Sequence, residues 1–520
     1  MTARISLKEW RWALLWASIV IAVTCLPYLY AWLAAPEGLV FGGLLTNPLD
    51  GNSYLAKMRQ GFEGEWRFHL PFTPEPHPGT FVYIHYLALG HLGRALNFSL
   101  PLLYHLARVF SSFLLLLAIY WFIAHFVDEN NLTHRRTIFL LVAFSSGLGW
   151  LAAAFNLITA DLWVPEAITF YTLLSNPHFP LSMTLMLLII ALTATENYWS
   201  RAKPWPLFIV LAISSFLLAV IQPFVAVPVY AALGAYIILL TIRDRRLPRK
   251  LIARTLIGGL ATLAPIFYGL IVFSTNSALA AWSSQNLTPS PPLWNLALSY
   301  GLVLLLALPG AVMAARCSRN IDLLLLAWIA ATIILIYAPL ALQRRMITGL
   351  HFPLCFLAAR GLQWLVKRWP ARRRLLTGSA IGLSAITNLF LLLGALAAVR
   401  SGDSRLFLYR EEMPALAWLR EHAPTEAVVL AAPETGLFIP VWAGRRVVYG
   451  HPFETIQAEE KESQVRSFFV SPARHEQLLT SFNIEYVFFG PRERALGGWI
   501  TKSDWPVAYQ NDGVVIFQVP

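Results

Sequence analysis

The sequence predicts a polytopic α-helical membrane protein that ends in a small α/β domain. Its 520 residues are 57% hydrophobic and only 13% charged, whereas soluble proteins carry roughly 25% charged residues. The apolar residues are grouped into stretches close to the ~20 residues that cross a bilayer. After residue 400 the composition changes to alternating charged and β-branched segments. That change predicts a separate domain outside the membrane.

About eleven apolar stretches are predicted to be transmembrane helices. The first is longer than the apolar core of a signal peptide and is followed by no small-residue cleavage pattern, so we expect it to be retained. The predicted spans are residues 12–34, 101–126, 137–155, 179–198, 206–222, 224–242, 252–274, 294–314, 322–340, 352–366 and 375–399.

Basic residues orient these spans. Lys and Arg fill alternate gaps, and positive charge near helix ends stays in the cytoplasm. The N-terminus is therefore predicted to be cytoplasmic, and eleven crossings place the C-terminal domain outside. The net charge of +12 is then a topology signal, and no nucleic-acid partner is expected. The three cysteines have no paired spacing, so neither a disulfide framework nor a zinc site is predicted.

Two domains follow from this organisation. Residues 1–400 form the membrane domain, which includes a long outside loop at residues 35–100. Segments Tyr54–Phe62 and Tyr83–Leu96 of that loop have helical apolar spacing and are predicted to lie on the membrane surface. Residues 401–520 form the outside α/β domain. Its predicted strands are Val428–Ala431, Arg446–Tyr449, Tyr486–Phe489 and Val514–Val519, and its predicted helices are Pro414–His422 and Ala458–Phe469.

Asp50 is the first candidate for chemistry. It lies early in the outside loop, between Asn47-Pro48-Leu49 and Gly51. An acidic residue in this context is also a common turn or helix N-cap residue. A role in function is suggested by where Asp50 lies, because the loop that contains it is too long for a simple connection. At the membrane surface, Asp50 would be close to the headgroup of a lipid-borne substrate.

Arg344 and Arg345 are the second candidates. They lie at the predicted outer end of a span, where this chain places almost no other basic residue. They could extend to the interface and bind lipid phosphates. The planar fork of arginine also suits the phosphate of a bound substrate. Arg108, inside the second span, is a further candidate for phosphate binding, because a charge there needs a partner or a cavity.

Six more residues are candidates for substrate binding. His178 stands at the mouth of a span, where it is either a ligand-binding donor or an interfacial cap. Glu166, in the same outside loop, could bind a cation or substrate hydroxyls, but its spacing from Asp161 matches no metal motif. The remaining four candidates are Tyr54, Lys57, His105 and His351.

Four segments carry a resemblance to a known superfamily. They are Asp50-Gly-Asn-Ser-Tyr-Leu-Ala-Lys-Met-Arg-Gln-Gly, Asn176-Pro-His-Phe, Gln343-Arg-Arg and Arg446-Val-Val-Tyr-Gly-His-Pro-Phe-Glu. With the early Asp, the long outside loop and the outside α/β tail, the chain resembles the GT-C membrane glycosyltransferases. These use polyprenyl-phosphate-linked sugars and include protein mannosyltransferases and aminoarabinose transferases. The resemblance covers the architecture of the whole chain, but only Asp50 matches a family-wide motif.

The resemblance implies that Asp50 is the catalytic base or helps to position the acceptor. It also implies a polyprenyl-phosphate sugar donor, with a glycan, lipid or protein as acceptor. The oligosaccharyltransferase signature Trp-Trp-Asp-Tyr-Gly is absent, and no outside loop contains Asp-X-Asp. This leaves open whether a divalent cation takes part, and no other cofactor is expected. Glycosyl transfer from a lipid phosphate also needs a base that deprotonates the acceptor and positive charges that stabilise the departing phosphate.

Two other functions compete with the transferase. A transporter or flippase for a lipid-linked glycan would use the arginines to line a headgroup path, and it predicts internal repeats and charges at mid-membrane depth. A non-catalytic glycan-assembly protein would use the outside domain, and Asp50 would only cap a helix.

Overall fold

The computed structural model describes residues 5–199, 204–470, 475–497 and 505–520. Most of the described chain is helical. The helices are α1 Leu7–Leu33, α2 Pro48–Glu63, α3 Ile84–Leu96, α4 Leu100–Phe126, α5 Leu132–Phe144, α6 Gly149–Ala153, α7 Ala160–Trp163, α8 Thr169–Leu174, α9 His178–Ala194, α10 Glu196–Trp199, α11 Pro204–Ile221, α12 Ala226–Asp244, α13 Arg249–Thr275, α14 Ser277–Gln285, α15 Leu293–Cys317, α16 Asn320–Ile336, α17 His351–Arg368, α18 Arg373–Ser384, α19 Ile386–Ser401, α20 Glu412–His422, α21 Pro433–Gly436, α22 Ile439–Trp442, α23 Ala458–Val470, α24 His475–Ser481 and α25 Pro491–Gly497.

Each predicted span coincides with one of these helices or with a pair of them. Eight segments of the described chain are long and apolar enough to cross a membrane, and two shorter apolar helices, α9 and α16, accompany them. The eight are Leu7–Leu33, Leu100–Phe126, Leu132–Ala153, Pro204–Ile221, Pro223–Asp244, Arg249–Thr275, Leu293–Cys317 and Pro370–Ser401. The polytopic membrane class is confirmed, and the number of eleven crossings stays a prediction.

The chain divides into two compact units. The first unit contains Met1–Leu26, Leu106–Tyr268 and Thr288–Gly394. The second contains Pro27–His105, Gly269–Leu287 and Ala395–Pro520, so the tail shares a unit with the long first loop. The domain boundaries predicted above, at residues 400 and 401, stay a prediction.

Several buried charges of the first unit form ion pairs. Arg135 Nη1 lies 2.8 Å from Glu9 Oε1, and both side chains are buried. The carboxylate of Asp322 accepts from Arg319 and from Arg360, which is nine-tenths buried. Pairing of this kind offsets part of the cost of burying each charge. These arginines therefore have structural partners in the first unit.

The second unit is built on a five-stranded mixed sheet. Its strands are β3 Val428–Leu430, β4 Arg446–Val447, β5 Ile484–Phe489, β6 Val507–Gln510 and β7 Val515–Gln518, in the order β4-β3-β5-β7-β6. Strand β3 is parallel to β4 and β5, and β7 is antiparallel to β5 and β6. The four predicted strands and both predicted helices of the tail are confirmed. Strand β6 was missed, because its residues are only partly buried and lack an apolar run.

The first loop and the tail share one hydrophobic core. Strand β1, Leu39–Phe41, pairs antiparallel with β2, Phe407–Tyr409. One buried cluster joins residues of α2 and α3 to residues of α20, α22 and the sheet, including Leu55, Tyr86, Leu419 and Phe488. Both helices predicted in the loop are formed. Their contact with a membrane surface stays a prediction.

Two glycines bring α2 and α3 into close contact. A Cβ atom on Gly61 would lie 2.1 Å from the Leu87 carbonyl oxygen, and one on Gly90 would lie 2.0 Å from the Met58 carbonyl oxygen. Neither distance is compatible with a side chain, so only glycine fits. The close contact fixes α2, which carries Asp50, against its neighbour.

Removing the tail is expected to unfold the first loop as well. A chain that ends at Arg400 loses β2, the sheet and every tail residue of the shared core. The apolar face of α2 would then be exposed to water, at a cost of about 25 cal/mol per Å². Limited proteolysis should cleave residues 35–100 rapidly in the truncated chain and slowly in the full chain. A protected loop in the truncated protein would contradict the shared core.

Candidate active site

Asp50 lies in the first turn of α2. The helix begins at Pro48, which is favoured at this position because its missing N–H would have no partner there. Asn47 precedes it in the left-handed region, with a φ of 47°, and asparagine tolerates that region better than most residues. The N-cap residue is therefore Asn47. The alternative in which Asp50 itself is the cap does not match this geometry.

The Asp50 carboxylate accepts one hydrogen bond, has a buried histidine close to its other oxygen, and remains open to solvent. Its Oδ2 accepts a hydrogen bond from the Asn47 side chain. Its Oδ1 lies 3.9 Å from Nε2 of His451, whose side chain is fully buried. The Asp50 side chain is 40% exposed. An oriented, accessible carboxylate at a helix N-terminus can accept a proton from a bound substrate.

Below Asp50, α2 is joined to the loop after β4 by a buried ion pair. Lys57 Nζ lies 2.7 Å from Oε1 of Glu454, and the hydroxyl of Ser53, one turn earlier in α2, donates to the same oxygen. Burial alone would raise the pKa of Glu454, but the Lys57 ammonium and the hydrogen bonds from Lys57 and Ser53 lower it. The carboxylate is therefore ionised at neutral pH.

Aromatic rings enclose the Lys57 ammonium. It lies 4.5 Å from the centroid of the Tyr83 ring and 5.2 Å from that of Phe68, and only 1% of its side chain is exposed. Tyr54 stacks on Tyr86 with centroids 4.4 Å apart. These contacts give both residues a structural role in the second unit. Direct binding of substrate by Tyr54 or Lys57 stays a prediction.

Replacing Glu454 with glutamine is expected to lower the free energy of unfolding by about 2 kcal/mol, because the buried Lys57 loses its counter-charge. Since the folded pKa of Glu454 is lowered, its contribution is present above the unfolded pKa and is lost as pH falls through the folded pKa. Thermal unfolding from neutral to acidic pH measures both effects. A Glu454→Gln protein whose stability equals wild type at neutral pH would contradict the ion pair.

Arg344 and Arg345 belong to the first unit, in a 3-10 turn at Gln343–Ile347. The turn is fixed by the Arg344 N–H, which donates to the Thr288 carbonyl. The Arg344 guanidinium lies 4.4 Å from the centroid of a Trp163 ring. Arg345 lies over Phe224 at 5.2 Å, and its Nη1 is 3.7 Å from Oε1 of Glu166. The structure therefore brings together two predicted site residues, Arg345 and Glu166.

The side chains of Arg344 and Arg345 are packed against aromatic rings and remain partly exposed. The Arg345 side chain is 29% exposed, whereas that of Glu166 is 7% exposed. Stacking on an aromatic ring fixes the plane of a guanidinium group. Such an arrangement suits recognition of an anion. Asp50 and this arginine pair belong to different units, and phosphate binding stays a prediction.

Arg108 is buried in the first unit. Its Nη1 donates to the Leu173 carbonyl at 2.9 Å and to Thr24 Oγ1 at 3.3 Å, and 1% of the residue is exposed. These contacts satisfy a charge inside a span, as expected for a residue at that depth. These contacts do not test whether Arg108 binds a phosphate, so that role stays a prediction.

The three predicted histidines are also buried. In the second unit, His105 Nε2 lies 2.6 Å from the Gly43 carbonyl. In the first unit, His351 contacts Thr169 at 2.9 Å through Nδ1 and Ser145 at 3.0 Å through Nε2. His178 begins α9 and lies against the Phe179 ring. Their roles in substrate binding stay predictions.

Sequence reasoning assigned no role to His451 or Glu454. Both lie in the segment Arg446-Val-Val-Tyr-Gly-His-Pro-Phe-Glu, which directly follows β4. Polar residues at the carboxyl end of a parallel strand often face a site. That signal was present in the sequence, but the pairing of these residues with Asp50 and Lys57, about 400 positions earlier, was not.

The described residues contain no group of three or more His, Cys, Asp or Glu that could hold a metal ion. Near Asp50, the imidazole of His451 is a further side chain of this kind. The participation of a divalent cation stays a prediction, since such an ion can also be held by substrate phosphates and water.

No protein-family model and no curated protein matches the sequence. Solved structures do match. ArnT from Cupriavidus metallidurans, in the apo state, superposes with a TM-score of 0.54 and 13% identity, covering 97% of this chain and 97% of that chain. The chain has the GT-C fold. The apo oligosaccharyltransferase of Archaeoglobus fulgidus superposes with a TM-score of 0.52 and 12% identity, covering 91% of this chain and 69% of that chain.

The predicted GT-C resemblance is thus confirmed for the fold. The comparison extends over the membrane helices and the tail alike, since nearly the whole chain is covered in both superpositions. The chain is a multi-pass membrane protein with a strand-containing C-terminal region. At these identities, the activity has to be argued from the residues.

Proposed function

We propose that the protein is a membrane glycosyltransferase that moves a sugar from a polyprenyl-phosphate donor to an acceptor on the extracytoplasmic face. The observation that supports this most is the oriented and accessible carboxylate of Asp50 at the start of α2 in a GT-C fold. The archaeal oligosaccharyltransferase with this fold has been solved with a dolichol-phosphate and an inhibitory peptide. A lipid-phosphate donor is consistent with that precedent.

In the proposed mechanism, Asp50 is the general base. It accepts the proton of the acceptor nucleophile as that atom attacks the anomeric carbon. The bond from this carbon to the phosphate oxygen breaks, and the lipid phosphate leaves with the electron pair. Attack opposite the leaving group inverts the anomeric configuration. A base positioned in this way contributes typically 10²–10⁴-fold to the rate.

Arg344 and Arg345 are proposed to bind the donor phosphate. Charge builds on its oxygens as the sugar departs, and fixed guanidinium groups stabilise that charge more than water does. Glu166, 3.7 Å from Arg345, would orient the guanidinium in the absence of donor. Arg108 is the third proposed member of this group. No step is assigned to a metal ion.

The proposed orientation follows from the distribution of basic residues. A cytoplasmic N-terminus places the first loop and the tail outside, where nucleotide sugars are not supplied. A lipid carrier is then the natural donor. The tail is proposed to shape the access of the acceptor, since it supplies the loop of His451 and Glu454 beside Asp50.

The test is a donor screen with purified protein in lipid nanodiscs. Polyprenyl phosphates and pyrophosphates that carry different sugars are each supplied with a membrane extract as acceptor, and products are identified by mass. We expect one donor class to give a product that carries the added sugar mass, with release of the lipid phosphate. If no donor is consumed although one binds, the transferase proposal fails.

A further inference from the structure

His451 lies in a tightly closed loop after β4. Its carbonyl accepts from the Thr455 N–H at 3.0 Å, and its own N–H lies 3.3 Å from Thr455 Oγ1. Its side chain is fully buried, with the Phe72 ring centroid 5.4 Å from its own. The position of the imidazole ring is therefore fixed by the loop.

The hydrogen bonds of the ring determine its tautomer. Nδ1 lies 3.0 Å from the backbone nitrogen of Phe453 and 3.1 Å from that of Glu454, and both of these groups are donors. A ring nitrogen that accepts two hydrogen bonds carries no proton, so the proton of the neutral ring is on Nε2. Nε2 is the atom that faces Asp50.

The ring is neutral at ordinary pH. Burial lowers the pKa of His451, and the charges of Glu454 and Asp50 oppose this only in part, while Lys57 adds to the lowering. These are the titratable groups that face the ring among the described residues of the unit. A neutral donor beside Asp50 can orient the carboxylate without adding a positive charge that would weaken it as a base.

The distance from Nε2 to Asp50 Oδ1 is 3.9 Å, longer than the 2.7–3.2 Å of an N–H···O hydrogen bond. The backbone of Leu49 supplies the other acceptor near the ring. Because the Asp50 side chain is 40% exposed, rotation of its carboxylate can shorten the distance. Catalytic hydrogen bonds are often long before substrate binds and tighten in the complex.

We infer that His451 is a positioning residue for Asp50, to which its Nε2–H donates when substrate is bound. Oδ1 then accepts from His451 while Oδ2 accepts from Asn47, which fixes the plane of the carboxylate and the lone pair that receives the acceptor's proton. This inference rests on the proposed role of Asp50 as the base. It assigns to the tail a direct influence on the reaction through one imidazole.

Two substitutions separate this role from a structural one. In His451→Asn, the side-chain oxygen can replace Nδ1 as acceptor of the two backbone N–H groups, but the amide is too short to reach Asp50. In His451→Gln, the amide nitrogen can approach the position of Nε2, while the acceptor for the backbone is lost. Asparagine thus preserves the loop, and glutamine preserves the donor to the base.

The experiment measures kcat, KM for the donor and the pH dependence of kcat, together with the thermal unfolding temperature. For His451→Asn we expect kcat to fall by about 10-fold, with KM unchanged and the protein folded. The acidic limb of the pH profile should move to higher pH, because the carboxylate form of the base loses a hydrogen bond in the substrate complex. His451→Gln should restore part of kcat and of the pH profile.

Other results overturn the inference. They are a His451→Asn protein with the wild-type kcat and pH profile, or two variants that lose kcat only in proportion to their loss of thermal stability. Asp50→Asn in the same assay separates this failure from that of the proposed function. If Asp50→Asn is inactive while His451→Asn behaves as wild type, only the positioning role fails. If Asp50→Asn is fully active, the assignment of the base fails first.

Discussion

Asp50→Asn is expected to reduce sugar transfer by at least about 10²-fold, the usual scale for removal of a general base. The amide has nearly the shape of the carboxylate, and its oxygen can still accept from Asn47, so the first turn of α2 should be kept. Only the ability to take up a proton is lost. The measurement is kcat for donor consumption, with donor affinity and thermal stability determined on the same preparation.

A matched control is Asp403→Asn, which makes the same change at a partly exposed carboxylate of the second unit that pairs with Arg405. It should leave transfer unchanged. If Asp50→Asn retains the wild-type rate while the protein is folded, Asp50 is a structural residue of the first turn. The proposed mechanism would then have no base.

The second large effect is expected at the arginine pair. Each charge-assisted hydrogen bond to a phosphate contributes about 1.5–3 kcal/mol, so replacing Arg344 or Arg345 with glutamine should weaken donor binding by about 10- to 100-fold. Lysine should recover binding only in part, since it keeps the charge but loses the two-pronged geometry. Donor affinity for the Lys, Gln and double-Gln variants is the measurement.

The competing interpretation gives a different result. If the pair only anchors the turn at the membrane interface, lysine should substitute fully, and glutamine should change stability without changing donor affinity. Arg243→Gln is a suitable control, because that arginine is surface-exposed in the first unit and paired with Asp244. Unchanged donor affinity in a folded double-Gln protein would eliminate the phosphate role.

The membrane helices and most of the tail could be predicted because their signals are local. Apolar stretches of bilayer length and β-branched runs are visible in a short window of sequence. The packing of the first loop against the tail depends on contacts between residues that are far apart in the sequence. Strand β1 pairs with β2 across more than 360 residues, and α2 is buried partly by residues of α22 and the sheet. The amphipathic spacing of α2 predicts that one of its faces is buried, but it does not indicate which part of the chain covers that face.

The residues of the candidate site also differ in whether the local sequence or only the fold identifies them. Asp50 could be selected from its context in the first loop, and Arg344–Arg345 from their conflict with the charge pattern. His451 and Glu454 directly follow a predicted strand, but no local feature of the sequence indicates that they lie near Asp50 and Lys57. Only the fold brings Glu454 to 2.7 Å from Lys57. The buried partner of Arg345, Glu166, was proposed as a substrate-binding residue, and its contact with that arginine also depends on the fold.

The central claim is that the protein consumes a lipid-phosphate sugar, and release of free polyprenyl phosphate tests it most directly. A donor labelled in both the sugar and the lipid is added to wild-type and Asp50→Asn proteins with acceptor present. Lipid phosphate and labelled product are quantified together. We predict equal amounts of both from wild type, and donor binding without release from Asp50→Asn. Donor that crosses the bilayer intact in both proteins, with no lipid phosphate released, would contradict the claim and identify a transporter.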